Sequence, residues 1–220
     1  MAETSARSRL NVEGTDDQHS LVHLLRHNGI SYQDEFENSP ANLPKFVPVK
    51  SVEKLLAGIE ATVSTSTGRI VGFLLDADES LLSRWKSVSQ RLSKVGVADL
   101  PERPPVGGYI GESTLYKVRV GVWLMPDNVR DGKLEDFLRM LIDDHDPLIE
   151  LAESSTDLAR SQGAAFTERD QIKAIIHTWL AWQKEPGKPY GIAVKAEYFR
   201  HDSPTAALFV DWFKELYRIA

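Results

Sequence analysis

The chain has 220 residues, 42% of them apolar and 26% charged, the composition of a globular protein with one large domain or two small ones. No apolar run approaches the roughly 20 residues that cross a bilayer, and the polar first residues are unlike a secretory signal. The absence of cysteine excludes a disulfide framework, thiolate metal sites and a cysteine nucleophile. The net charge of -6 repels phosphate, so contact with nucleic acid requires a local basic face or a metal ion. We expect a soluble, cytoplasmic protein with no membrane partner.

The hydrophobic pattern predicts extended segments in the first part of the chain, at residues 7–12, 30–36, 69–75 and 116–124. Residues 69–75 are continuously apolar, which is typical of a parallel strand buried on both faces. Three prolines hold the stretch around residues 40–48 in a loop or an extended conformation. Residues 96–114 contain three more prolines together with Gly107, Gly108 and Gly111, and we predict a long irregular loop beside the functional site.

Helical periodicity fills the intervals between these segments and most of the second part of the chain. The first helix should end at Asn28-Gly29, the next should begin at Ser51, and a third should follow residue 79. Four more are predicted near residues 133–142, 148–160, 170–183 and at the C-terminal end. Strands that alternate with helices predict an α/β fold with a mainly parallel sheet. We expect a single domain over residues 1–220, with the sheet core in 1–130 and a helical extension in 131–220 packed on it.

Acidic residues follow three of the predicted strands. Glu13 comes after the strand at residues 7–12, Asp76 and Asp78 after the central strand at 69–75, and Asp127 after the strand at 116–124. The carboxyl ends of parallel strands meet at one edge of a sheet, where ligands bind, so these carboxylates should be neighbours. A divalent cation would relieve their repulsion, and an all-oxygen donor set suits Mg²⁺ or Mn²⁺. The simpler alternative is that they cap helices, as Asp78 could do for the helix near Ser80.

The motifs together are more specific than any one of them. VEGTDDQH at a strand-to-helix turn and GFLLDADESLLSRW after the central strand resemble the TOPRIM fold. With GVWLMPDN, GKLEDFL and KAIIHTWLAWQKEPG, the chain resembles over nearly its whole length a stand-alone TOPRIM-like family of unknown function. That family is related to the TOPRIM part of OLD-type nucleases. The resemblance implies a Rossmann-like, mainly parallel sheet on which a glutamate and the two carboxylates of an Asp-x-Asp pair gather Mg²⁺.

The resemblance also implies roles for individual carboxylates. Glu13, Asp76 and Asp78 match the glutamate and the Asp-x-Asp pair that would hold a first Mg²⁺ or Mn²⁺. Asp17, one helical turn after Glu13, and Glu135 in GKLEDFL would hold a second, with Asp136 as an alternate to Glu135. Two such ions about 3.5–4 Å apart can activate water and stabilise a leaving oxygen. Glu135 could instead be a first-turn residue that complements a helix dipole.

Basic side chains near these carboxylates could contact phosphate. In OLD-type enzymes a late lysine is thought to neutralise the scissile phosphate, and Lys173 is the candidate for that catalytic role. His177 lies one turn further on the same helix face and is more simply a hydrogen-bonded structural residue. Arg84, Arg91 and Lys94 share one side of the helix after Asp78. Both Lys173 and this basic side could equally be ordinary solvated surface.

Three histidines, His19, His23 and His27, recur every fourth residue along the first helix. Such a ladder suggests zinc, but Asn28-Gly29 ends the helix at the third histidine, and no thiolate or second histidine pair supports the idea. Exposure to solvent is the simpler interpretation of the ladder.

The sequence leaves three functions open. The leading one is Mg²⁺-dependent phosphodiester hydrolysis on DNA or RNA, with a possible protein partner because the ATPase that accompanies OLD nucleases is missing from this chain. The second is a regulatory module that binds metal and nucleic acid or nucleotide without catalysis. The third takes LLDADES as the nucleophile motif of haloacid-dehalogenase-like phosphatases, although the late acidic pair Asp143-Asp144 ends a helical pattern where that family needs a strand.

Overall fold

The computed structural model describes residues 7–34 and 38–220, and its centre is a five-stranded sheet. The strands are β1 (Arg9–Val12), β2 (Lys45–Pro48), β3 (Ile70–Asp76), β4 (Tyr109–Ser113) and β5 (Val118–Met125). Their order across the sheet is β2-β1-β3-β5-β4, and only the β4–β5 pair is antiparallel. The predicted α/β architecture, with a mainly parallel sheet and the apolar segment near residue 70 at its middle, is therefore confirmed.

The two edge strands differ from the sequence prediction. Residues 31–34 form no strand, and residues 35–37 of the predicted segment 30–36 lie outside the described part of the chain. The strand in that region is β2, at the end of the proline-containing stretch, where Pro48 occupies an edge position that needs no amide donor. The predicted loop 96–114 contains β4. The carbonyl of Val106 in that loop accepts a hydrogen bond from Asn128 at 3.5 Å, which brings the loop towards the carboxyl end of β5.

Eight helices surround the sheet in the described residues. They are α1 (Thr15–His27), α2 (Val52–Ser64), α3 (Leu81–Lys94), α4 (Leu134–Arg139), α5 (Pro147–Ser161), α6 (Gln171–Ala181), α7 (Tyr190–Lys195) and α8 (Pro204–Tyr217), with a 3₁₀ turn at Glu168–Asp170 before α6. The hydroxyls of Ser51 and Ser80 accept hydrogen bonds from backbone N–H groups of the first turns of α2 and α3. The short helix α7 was not predicted.

The sheet separates two apolar layers. Alternate residues of β3 point to opposite faces, so Val71 and Phe73 pack with α2 and α3 whereas Leu74 packs with the other helices. The layer that contains α1 and α4–α8 is the larger of the two. The helical region after β5 therefore packs on the same sheet as the helices before it.

Helix α8 approaches the sheet closely because two glycines lie side by side beneath it. Gly72 of β3 and Gly121 of β5 are register partners. A Cβ at Gly121 would overlap the side chain of Leu216, and a Cβ at Gly72 would overlap the hydroxyl of Tyr217. That hydroxyl donates a hydrogen bond to the carbonyl of Arg9 at 2.7 Å. The glycine pair thus allows α8 to pack closely across β1, β3 and β5.

No helix in the described parts of the chain combines the length and the apolar character needed to span a membrane.

Candidate metal centre

Glu13 and Asp76 meet at the carboxyl edge of the sheet. β1 and β3 are parallel neighbours, so the residues that follow them lie side by side. The backbone N–H of Asp76 donates a hydrogen bond to Oε1 of Glu13 at 2.9 Å. The Asp76 carboxylate in turn accepts a hydrogen bond through Oδ1 from the N–H of Leu134 at 3.1 Å. Glu13 and Asp76 are therefore neighbours, and the first turn of α4 is attached directly to the end of the central strand.

Asp17 lies buried behind this pair, one turn into α1. Its side chain is 6% exposed, and Oδ2 accepts a hydrogen bond from the N–H of Gly14 at 2.8 Å. Oδ1 is also buried and has no hydrogen-bond partner within the described residues. Burial, followed by the negative charges of Glu13 and Glu135, raises the pKa of Asp17 to about 7. A buried carboxylate oxygen with no donor is a position that a proton or a cation would satisfy.

Glu135 is the fourth member of the group and is placed by α4. It is buried at the first turn of that helix, and the hydroxyl of Tyr190 is hydrogen-bonded to its carboxylate. Burial and then the carboxylates of Asp17, Glu13, Asp78 and Glu135 raise the pKa of Asp76 well above its ordinary range. The pKa of Glu13 is raised mainly by burial and partly by Asp78. The carboxyl groups thus form one interacting cluster; we call Glu13, Asp17, Asp76 and Glu135 the acidic cluster.

Asp78 has a different environment from the one predicted for a metal ligand. Its backbone is left-handed, with φ of 55°, and it forms an antiparallel bridge with Gly132. Its Oδ2 accepts from Arg84 at 2.6 Å and its Oδ1 from Arg169 at 3.0 Å. Two guanidinium groups therefore occupy both carboxylate oxygens of Asp78, beside the acidic cluster.

Two clefts open at the ion pair between Asp78 and Arg169. One, of about 370 Å³, extends to Lys133 and Ile172, and the other, of about 380 Å³, extends to Arg84. Arg84 also donates to the backbone carbonyl of Asp76 at 2.8 Å, so it connects the end of the central strand to the second cleft. Each cleft is therefore lined by two basic side chains together with a larger number of carboxylates.

Lys173 and His177 project from α6 and are exposed. Nε2 of His177 lies 3.1 Å from the hydroxyl of Tyr190, which also contacts Glu135. Partial desolvation of its ring, followed by the charge of Lys173, lowers the pKa of His177. His177 is thus connected to Glu135 through Tyr190, and Lys173 lies near enough to His177 for its charge to act on the imidazole. The sequence did not indicate Tyr190, because no helical pattern marked the short segment that carries it.

The two other acidic candidates form local structural contacts. Asp127 forms an ion pair with Arg130 at 2.8 Å and accepts hydrogen bonds from two backbone N–H groups that follow it. Asp136 accepts a hydrogen bond from the N–H of Lys133 at 2.8 Å at the start of α4. Asp136 agrees with the helix-capping alternative that the sequence left open, whereas Asp127 stabilises a turn after β5 that no helix directly follows.

The three histidines of the ladder on α1 lie in different surroundings. His23 is buried, contrary to the expectation of exposure, and burial with the charges of Arg26 and Lys195 lowers its pKa to about 4. Among the described residues, one group of three histidine or acidic side chains brings its ligand atoms within 4.8 Å of one another, and it is His27, Glu197 and His201. This group contains His27, the last histidine of the ladder, and lies apart from the acidic cluster. In the acidic cluster, no three side chains bring their ligand atoms within 4.8 Å of one another.

Fold and site define this chain as a three-layer α/β protein with a cluster of buried and half-buried carboxylates at the carboxyl edge of a mainly parallel sheet. It belongs to the family described as "Protein of unknown function (DUF3226)", which it matches over residues 7–218. No curated protein and no solved structure matches the chain.

Proposed function

We propose that this protein is a TOPRIM-type, Mg²⁺- or Mn²⁺-dependent enzyme that hydrolyses phosphodiester bonds in DNA or RNA. The observation that supports the proposal most directly is the acidic cluster itself. Glu13 follows β1, Asp17 lies in α1, Asp76 ends β3 and Glu135 lies in α4. Asp17 and Glu135 are buried and the other two are half-buried, which is costly unless something neutralises their charges. Their grouping at the carboxyl edge of the sheet agrees with the TOPRIM resemblance of the motifs.

The donor set fits a hard divalent cation. Every candidate ligand is a carboxylate, and Oδ1 of Asp17 is a buried acceptor with no donor in the described part of the chain. Glu13 and Asp76 would hold the first ion, with Asp17 and Glu135 at a second. Asp78 would join them only after exchanging one of its two arginine partners. Mg²⁺ bound there would supply an activated water and neutralise charge on the phosphate.

The basic side chains around the cluster would position the substrate. Arg169 is 62% exposed in its pair with Asp78, so its guanidinium can turn to a phosphate that enters the cleft. Lys173, exposed on α6, would neutralise the scissile phosphate as an ammonium group. Because the net charge is -6, nucleic acid should bind weakly until a cation occupies the acidic cluster.

The test is cleavage of single- and double-stranded DNA and of RNA in Mg²⁺ or Mn²⁺, with EDTA as the blank. Asp76→Asn should abolish cleavage and also abolish thermal stabilisation by Mg²⁺, because it removes a ligand. It should also raise the melting temperature in EDTA, since one of the repelling charges is gone. Asp211→Asn, an exposed carboxylate on α8, is the matched control and should behave as wild type.

Lys173→Ala separates catalysis from metal binding. We expect cleavage to slow by about 10²–10³-fold, the loss seen when one charge-stabilising donor is removed, while Mg²⁺ stabilisation stays unchanged. Lys184→Ala, on an exposed lysine beyond the end of α6, is the control. Equal cleavage by Lys173→Ala and wild type would remove Lys173 from the mechanism.

The second candidate function is a non-catalytic module that binds metal together with nucleic acid or nucleotide. The pairing of Asp78 with both Arg84 and Arg169 favours it, because two arginines of the protein itself already bind a carboxylate that the catalytic site would use as a metal ligand. If Mg²⁺ stabilises the wild type and Asp76→Asn removes that effect, yet no nucleic acid is cut, this module replaces the nuclease. The phosphatase alternative is weaker, because Asp143 and Asp144 form ion pairs with Arg200 and Arg139 away from any strand.

A further inference from the structure

A second group of metal-ligand side chains lies where α1 meets the connection between α7 and α8. His27 ends α1, Glu197 follows α7 and His201 precedes α8. A ring nitrogen of each histidine and a carboxylate oxygen of Glu197 all lie within 4.8 Å of one another. The two imidazole rings stack, with centroids 5.2 Å apart and an interplanar angle of 23°. His27 and His201 are partly buried and Glu197 is exposed, so an ion could enter from solvent.

The backbone around each of these side chains is held in place. The side-chain amide of Asn28 donates hydrogen bonds to the carbonyl of Leu24 at 3.0 Å and to that of His201 at 3.1 Å. The Val194 carbonyl accepts a hydrogen bond from the N–H of Glu197 at 3.0 Å and lies 3.2 Å from Nε2 of His27. The three side chains thus meet because local hydrogen bonds fix the segments that carry them.

The contact between His27 and the Val194 carbonyl also suits a metal ligand. A proton on Nε2 can be donated to that carbonyl, which leaves the lone pair on Nδ1. Histidines that bind metals usually donate the other ring N–H to a carbonyl or a carboxylate in this way. The neighbouring backbone therefore selects a tautomer of His27 that can bind an ion.

We propose that His27, Glu197 and His201 bind a transition-metal ion of the Zn²⁺ class and that the ion ties the C-terminal end of α1 to the segment between α7 and α8. Two imidazoles and one carboxylate form a donor set that prefers Zn²⁺ or Co²⁺ to Mg²⁺. Tetrahedral ligands about 2.0–2.2 Å from zinc lie roughly 3.3–3.6 Å apart. The three ligand atoms, now within 4.8 Å of one another, therefore need to approach one another by about an ångström. Water would complete the coordination on the exposed side.

This site is independent of the acidic cluster and of the proposed nuclease, and its ligands are far apart along the chain. His27 and His201 are separated by most of the sequence, so an ion that joins them would strengthen the attachment of the C-terminal part to α1. With zinc at 100 times its Kd, we expect the melting temperature of the full chain to rise by about 5–10 °C.

The test is titration of the EDTA-treated full chain with Zn²⁺ by calorimetry and with Co²⁺ by visible absorption. We expect micromolar binding that millimolar Mg²⁺ does not displace. His201→Gln should weaken zinc binding by at least about 10-fold and, at the same zinc concentration, reduce the thermal shift by about half or more, because a ligand is lost. His145→Gln, at an exposed histidine outside the group, is the control and should bind as wild type.

Two further variants make the result decisive. Glu197→Gln changes only an exposed side chain, so it should fold normally and still weaken binding even if the histidine variant is unstable. Asp76→Asn should keep full zinc affinity, because the acidic cluster is a separate site. Wild-type zinc affinity in both His201→Gln and Glu197→Gln, or no zinc binding by the wild type up to 100 µM (about 5–6 kcal/mol of binding free energy), would overturn the proposal.

Discussion

Replacement of Asp17 by asparagine tests the electrostatic cost of the acidic cluster. The pKa of Asp17 is raised to about 7 because its carboxyl group is buried beside Glu13 and Glu135. In the unfolded chain an aspartate titrates near 3.9, so the folded state binds this proton more tightly than the unfolded state does. The stability that the protonated carboxyl contributes is therefore complete below about pH 4 and is lost as the pH rises through about 7.

The magnitude follows from the size of the shift. Three pKa units at about 1.4 kcal/mol each amount to about 4 kcal/mol, lost by about pH 8. Part of that loss has already occurred at pH 5, so between pH 5 and pH 8 this one group should lower the free energy of unfolding by about 3 kcal/mol. Asp76 and Glu13, whose pKa values are also raised, act in the same direction.

The assay is urea unfolding in EDTA at pH 5 and pH 8. The wild type should lose stability over this interval, and Asp17→Asn should lose about 3 kcal/mol less, because the amide has no charge. A buried amide with an unpaired group costs about 1–3 kcal/mol at both pH values, so the difference between the two pH values is the quantity to compare. Asp16→Asn, at the exposed neighbour, should retain the wild-type pH dependence. An equal pH dependence in Asp17→Asn and wild type would refute the reasoning.

Two further predictions concern the packing of α8 and the pairing of Asp78. Gly121→Ala should lower the free energy of unfolding by about 1–3 kcal/mol in urea titrations, because the new Cβ overlaps Leu216. Gly58→Ala, inside α2 with no neighbour closer than 3.9 Å, should instead raise it by about 0.5–1 kcal/mol; destabilisation by both would indicate a general intolerance of side chains. Arg169→Ala should tighten Mg²⁺ binding several-fold in calorimetry, because it frees one oxygen of Asp78, whereas unchanged affinity would exclude Asp78 as a ligand.

Much of the fold follows from local pattern. The apolar run that became β3 is long enough to be buried on both faces, and the spacing of Trp85, Val88 and Leu92 defines the buried side of α3. The serines at positions 51 and 80 each cap the N-terminus of the helix that follows. These signals lie within a few residues of one another, so a sequence window contains all of the interactions that decide them.

The edge strands and α7 depend on partners elsewhere in the chain. β2 is a four-residue strand whose register is set by β1, more than thirty residues earlier. β4 contains Gly111 and polar residues, and its extended conformation depends on pairing with β5. Helix α7 has six residues and is supported by packing on α1, where Gly191 lies against His19. Short segments gain too little from local propensity, so tertiary contacts decide their conformation.

The same division applies to the functional residues. The expectation of parallel strands and the position of acidic residues after them were enough to predict that Glu13 and Asp76 meet at one edge. The sequence could not show that Arg169 would occupy an oxygen of Asp78, or that His27 would meet His201. Those pairs are 91 and 174 residues apart, and no periodic pattern links them. Their contacts exist only because packing of the helices on the sheet brings distant segments together, and that packing is a property of the whole chain.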